Sequence, residues 1–176
     1  MNIDIDVSGI EACCEYLKQQ PNRAKAAIKS ATGRSLTAGR AAISKGIRSE
    51  YSVKAGTIKG AIQMQKASSG LGGVLKVSGR PLDIMEFSPR TSRGMVSVKI
   101  KKARKLLPHS FFVSANKPGI YHRVTRKRLP IEREFTLSVP QMGGNVHVAE
   151  IVQKRMAEVF SDRLEHAMVY GRGQDY

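Results

Sequence analysis

Tryptophan is absent from this 176-residue chain, and five Phe with five Tyr bring the aromatic content to only 6%. A core without large rings must be built mainly from Ala, Val, Ile, Leu and Met. The same shortage argues against a surface that stacks on single-stranded bases. Cysteine is nearly absent as well, and the two present, Cys13 and Cys14, are adjacent. Neighbouring thiols cannot staple distant loops and lack metal-ligand spacing, so they read as two small apolar residues on a helix in a reducing cytoplasm. No apolar run approaches the roughly 18 residues of a membrane span, and no membrane partner is expected. The opening Met1-Asn2-Ile3-Asp4-Ile5-Asp6-Val7 carries acids where a secretory leader carries positive charge, so export by that route is not expected.

Acidic residues are the telling shortage. Fourteen Asp and Glu face thirty Lys and Arg, for a net charge of +16 and a pI near 10.3. The imbalance is local. Residues 1–15 hold four acids and no Lys or Arg, whereas residues 16–131 hold 25 basic residues against Glu50, Asp83 and Glu86, a local +22. Residues 132–176 return to −2. A middle segment so charged implies one surface facing a polyanion, with the ends left for packing or for neighbouring subunits.

Hydrophobic residues at 41% and charged residues at 25% are ordinary globular usage, so one folded domain over residues 1–176 is expected. Residues 1–62 read as mostly helical, 63–142 as a β-sheet part, 143–171 as a closing helix and 172–176 as a frayed tail. Ile3, Ile5 and Val7 alternate with Asp4 and Asp6, which predicts a short strand. Ser8-Gly9-Ile10-Glu11 has capping-box spacing, and Ile10, Cys13, Cys14 and Leu17 then recur at helical period. From Asn22 to Glu50 runs an Ala-rich basic helix, with Ala24, Ala27, Ile28, Ala31, Leu36, Ile43 and Ile47 as its apolar stripe. Gly33, Gly39 and Gly46 each cost this helix about 1 kcal/mol relative to Ala, and small residues of this kind permit close packing.

Val53–Ile62 reads as a further short helix. The period then changes, and strands are predicted at Val74–Val77, Leu82–Phe87, Met95–Ile100, Phe111–Ser114, Ile120–Thr125 and Glu134–Val139, joined into one antiparallel sheet by Gly, Pro and Ser-rich turns. After Gly143-Gly144-Asn145 the helical period returns, and Val152, Met156, Val159, Phe160, Leu164 and Ala167 form an apolar stripe. The class is α+β: a long N-terminal helix or helices, a central antiparallel sheet and a C-terminal amphipathic helix packed on it.

Catalytic chemistry is sparse. Asp83 and Glu86 are the one pair of nearby carboxylates in the basic segment, but on a strand they would point to opposite faces. Gly119-Ile120-Tyr121 reproduces only half of a nuclease signature, because Arg126-Lys127-Arg128-Leu129-Pro130 stands where the second half belongs. His109, His122, His147 and His166 never share i, i+4 spacing on one helix, so no metal site is expected. There is no P-loop, no Gly-x-Ser-x-Gly and no dinucleotide fingerprint, and neither a cofactor nor an enzymatic activity is expected.

Basic clusters are the positive signal. Lys99, Lys101, Lys102, Arg104 and Lys105 follow one predicted strand, on which Lys99 and Lys101 would share a face. Arg123, Arg126, Lys127 and Arg128 follow another. Together they predict a basic ridge facing DNA or a partner, and residues 99–128 contain no acid at all. Without a zinc finger or a helix-turn-helix the attraction is sequence-blind, to phosphates.

Three ordered motif groups then coincide. The first is Gly79-Arg80-Pro81-Leu82 leading to Phe87, with Gly94-Met95-Val96-Ser97-Val98. The second is Ser110-Phe111-Phe112-Val113 with Pro118-Gly119-Ile120-Tyr121-His122-Arg123. The third is Arg128-Leu129-Pro130-Ile131-Glu132 with Ser138-Val139-Pro140-Gln141-Met142. In this order the chain resembles the minor tail protein Z family of long-tailed phages and prophages, and the likeness extends to the basic N-terminal helix, to Tyr51-Ser52-Val53-Lys54 and to the C-terminal helix. One departure is Glu134-Phe135-Thr136-Leu137, where relatives often carry a Gly-Pro pair.

The resemblance implies a non-enzymatic virion protein made in the host cytoplasm. It would sit at the head-proximal end of the tail and act in tail completion and head–tail joining. Other tail and neck proteins, further copies of the chain in a ring around the DNA path, and genomic DNA are the implied partners. The charge taken alone supports an alternative, a free sequence-nonspecific DNA-binding protein. A small phage nuclease, with Asp83 at its metal, is a third class.

Overall fold

The structure is a computed structural model and describes residues 21–92, 94–114 and 117–170. The strand predicted at Asn2–Val7, the capping box at Ser8, the helix through Cys13 and Cys14, and the tail after Arg172 lie outside the described residues. The class is α+β, as expected. Among the described residues a helix α1 (Pro21–Glu50) and a short α2 (Ala55–Ala61) precede ten strands, which a five-residue α3 (Val139–Gly143) and a long α4 (Val146–Tyr170) follow.

Among the described residues every strand pair is antiparallel, but the strands divide among four small sheets instead of one. β1 (Ile62–Lys66) pairs with β2 (Gly73–Val77), and β3 (Pro81–Asp83) pairs with β10 (Phe135–Ser138). β4 (Arg90–Ser92), β5 (Met95–Val98) and β6 (Lys105–Leu107) form a three-stranded meander. β7 (Ser110–Val113), β8 (Gly119–Arg123) and β9 (Ile131–Arg133) form another. The strands average about four residues, too short for any one pair to be stable without a buried face.

Two compact units result, and the chain visits them alternately. One contains α1 as far as Ile43, the segment Ile62–Val77 and α4. Here the α1 stripe is realised: Ala24, Ala27, Ala31, Leu36 and Ile43 are all buried. Gly39 explains why the helix accepts a poor helix former. A Cβ at Gly39 would collide with Met156 of α4 and come within 2.7 Å of Leu75 Cδ1 of β2. Met156 and Leu75 are themselves buried, so α1, the β1–β2 hairpin and α4 converge at this glycine. Gly73 serves the same hairpin, because its missing side chain leaves room for Leu36 of α1 and for the Gln65 carbonyl. Further along, Ala27 and Ala31 meet Leu164, with Ile28, Phe160 and Ala167 around them. Of the α4 stripe, Val152 and Met156 are buried, while Val159 and Phe160 are half-buried. Asn145 starts α4 as an N-cap, its Oδ1 accepting from the His147 N–H at 3.1 Å.

The second unit takes Ser44–Ala61 and Ser78–Gly143. Ile84, Val96, Val98 and Ile120 are packed together at its centre, with Met85, Ile100 and Leu107 around them. The alternation in β5 puts Val96 and Val98 inward as expected. Leu82–Phe87 is not a strand. β3 stops at Asp83, whose Oδ1 accepts from the Met85 N–H at 2.8 Å and caps a 3-10 turn over Ile84–Phe87. A side chain that captures a backbone N–H two residues on competes with the sheet ladder, and here it wins. The strand expected over Glu134–Val139 likewise ends at Ser138. Gln141 Oε1 accepts from the Ser138 N–H at 2.9 Å, and Ser138 Oγ accepts from the Gln141 N–H at 3.4 Å. That reciprocal cap begins α3, with Pro140 tolerated in its first turn.

Candidate polyanion-binding surface

All nine residues of the expected ridge fall in the second unit and are exposed. They do not form one strand-borne ridge. β5 ends at Val98 because the chain leaves its ladder there: the Lys99 N–H donates to the Phe87 carbonyl at 3.3 Å, and the Ile100 carbonyl accepts from the Ser52 N–H at 2.9 Å. Lys99, Lys101, Lys102 and Arg104 are therefore residues of the β5–β6 loop, and the alternation that would put Lys99 and Lys101 on one face does not operate. Lys105 opens β6 opposite Val98.

Two cations of this loop already have work inside the fold. The Arg104 guanidinium turns back on the meander, where Nη1 donates to the Ser97 carbonyl at 3.0 Å and to the Ser88 carbonyl at 3.2 Å. Nη2 donates to the same Ser88 carbonyl at 3.2 Å. Ser88 needs such support, since it ends the 3-10 turn in the left-handed region at φ 49°. Lys101 Nζ lies 5.7 Å from the centre of the Tyr51 ring, a cation–π distance.

The second cluster is built differently. Arg123 closes β8, and its guanidinium carbon lies 5.5 Å from the centre of the Phe111 ring, which fixes the arm and leaves the fork available. Arg126, Lys127 and Arg128 follow in the β8–β9 loop, where Thr125 Oγ1 accepts from the Lys127 N–H at 3.3 Å. Among the described residues no carboxylate pairs with Arg123, Arg126, Lys127 or Arg128; ion pairs there include Lys54 with Glu86, Arg133 with Asp83, and Arg155 with Glu158.

Arg123, Val124, Thr125 and Arg126 line an open cleft of about 570 Å³ together with His109. His109 stands in the β6–β7 connection at φ 63°. The register pairs Ser110 with His122, which brings the residue before β7 beside the residue after His122. Sequence reasoning singled out Arg123 and Arg126 but missed His109 and Thr125, because hairpin register is invisible in the separation of 109 from 123. The two basic clusters flank a short element. β6 spans Lys105–Leu107, roughly 7 Å at 3.3 Å per residue, with the Lys99–Arg104 loop at its start and His109 two residues beyond its end.

The carboxylates once set against a nuclease site are tied elsewhere. Asp83 caps the 3-10 turn and forms an ion pair with Arg133 through Oδ2. Glu86 Oε2 accepts from Thr57 Oγ1 at 3.1 Å and lies 3.7 Å from Lys54 Nζ. Glu134 Oε1 accepts from the buried Ser110 hydroxyl at 3.1 Å and lies 3.1 Å from His122 Nδ1. Among the described residues no three His, Cys, Asp or Glu side chains group so as to hold a metal ion, and no helix is long and apolar enough to cross a membrane. Comparison with protein-family models, with curated proteins and with solved structures finds no match to this chain.

Proposed function

We propose that this chain is a non-enzymatic structural protein of a phage tail, working at the head-proximal end in tail completion and head–tail joining. In this reading several copies form a ring around the DNA path, the basic loops face the genome, and the less basic ends meet neighbouring tail and neck proteins. The ordered motifs between Gly79 and Met142 give the reading its identity. The observation that carries it physically is the acid-free stretch 99–128, whose ten basic residues lie mostly on exposed loops and strand ends of one unit. Unopposed like charges repel one another, so such a surface is sustained most easily beside a fixed anion.

The test is co-sedimentation. A tagged chain expressed during phage production should travel with assembled tails through a density gradient and should cross-link into multimers. Recovery only with free DNA, as a monomer and never with particles, would favour the alternative of a free sequence-nonspecific DNA-binding protein and would reject the tail assignment.

A further inference from the structure

We infer that the expected ridge is two surfaces with different duties, and that only the cleft between His109 and the β8–β9 loop is a binding site, one that takes a phosphodiester segment of nucleic acid. The inference rests on the proposed reading that a polyanion lies beside this unit, and it names where that anion is held.

Two of the four cations of the β5–β6 loop are spent on the fold. Arg104 donates to two backbone carbonyls, and Lys101 lies over Tyr51. A guanidinium whose donors are aimed at carbonyls keeps its charge but offers fewer N–H groups to an outside ligand. The cleft is the reverse case. Arg123 is braced by a ring instead of a hydrogen-bond acceptor, and neither it nor Arg126 meets a carboxylate among the described residues. Arg forks match the tetrahedral oxygens of a phosphate bidentately. The His109 imidazole and the Thr125 hydroxyl line the same space, adding groups able to donate to further oxygens.

Size and lining select the ligand. About 570 Å³ is more than one phosphate fills, and the cleft is open, which suits a chain passing through it better than a lone ion. Its lining residues include no Phe, Tyr or Trp, so it offers no broad stacking platform and the arginines point to the backbone as what is read. Lys127 and Arg128 follow Arg126 in the same exposed loop and add to its positive charge.

The experiment measures binding of the full chain to a mixed-sequence duplex by fluorescence anisotropy over a range of salt. Arg123→Gln with Arg126→Gln should weaken binding about tenfold or more at about 0.1 M salt and lower the salt slope by nearly 2. The charge-matched pair Lys25→Gln with Lys154→Gln, exposed on α1 and α4, should change affinity less than about threefold. His109→Gln with Thr125→Val leaves all Lys and Arg in place and should still weaken binding several-fold, which guards against a folding defect in the arginine variant. Equal losses from the arginine pair and the helix pair would overturn the site in favour of diffuse attraction. Unchanged binding in the arginine variant would also overturn it, and so would displacement of the duplex by poly-glutamate at equal charge, which would make the ligand an acidic protein. Failure here leaves tail co-sedimentation intact, and failure of co-sedimentation leaves the cleft's DNA binding intact, so the two claims fall separately.

Discussion

Ser35 and Met156, 121 positions apart, are joined by a hydrogen bond: the Ser35 hydroxyl donates to the Met156 carbonyl at 2.8 Å. Ser35 has no exposed surface, so a polar residue on the buried stripe of α1 is satisfied by the backbone of α4. Ser35→Ala should cost about 1 kcal/mol in chemical denaturation, the net value of one such bond. Ser35→Leu should cost more, about 1–3 kcal/mol, because it overfills the same contact. Equal stability of all three proteins would mean that the two helices are not held together there.

Gly39 and Gly60 should respond oppositely to the same substitution. Alanine is worth about 1 kcal/mol over glycine inside a helix. At Gly60 of α2 an added Cβ meets nothing within 4 Å, so Gly60→Ala should be neutral or should stabilise by up to about 1 kcal/mol. At Gly39 the new methyl meets Met156 and Leu75, both buried, and Gly39→Ala should destabilise by up to about 2 kcal/mol after the helix gain is subtracted. Thermal melts of the two variants beside the parent decide it.

Truncation along α4 should follow burial, not residue size. Met156 is 2% exposed, so Met156→Ala should cost about 2–5 kcal/mol. Phe160, half-buried beside Ala27 and Ala31, should cost less on truncation than its ring would in a closed core, about 1–3 kcal/mol. A larger loss at Phe160 than at Met156 in urea denaturation would reverse the order in which α4 is buried.

Duplex DNA incubated with the chain and Mg²⁺ should remain intact. Asp83→Ala is a poor control for that assay, since it removes both the cap of the 3-10 turn and the partner of Arg133 and should destabilise by about 1–3 kcal/mol. Asp83→Asn keeps a capping oxygen and should cost less, which makes it the cleaner variant. Cleavage by the parent that disappears in Asp83→Asn at unchanged stability would establish a nuclease.

Period and composition made the helices legible: α1 was readable from its Ala and Ile spacing, and α4 from the stripe through Val152 and Met156. β5 was readable from Val96 and Val98. What escaped were the places where a side chain outcompetes the ladder. Asp83 turns an apolar run into a 3-10 turn, and the Ser138–Gln141 cap converts a strand end into α3, although Ser-x-x-Gln is a signal present in the sequence. β1, β4, β6 and β9 are three to five residues long and too polar or mixed for alternation to stand out. The charge of the candidate site was fully legible, but the division of labour within it was not. Arg104 is committed to Ser88 and Ser97, and Arg123 faces a cleft, through contacts between residues far apart in the chain.

The alternation of the chain between two compact units bears on the order of synthesis. Every segment of the unit that holds the cleft has been translated by Gly143, whereas the other unit lacks α4 until the following residues emerge. At about 5–20 residues per second the first can close its meanders while the buried face of α1, from Ala24 to Ile43, still waits for Met156 and Leu164. A product released by premature termination just past Gly143 would thus carry a complete cationic unit and an unsheltered apolar face of α1, and would both bind polyanions and aggregate.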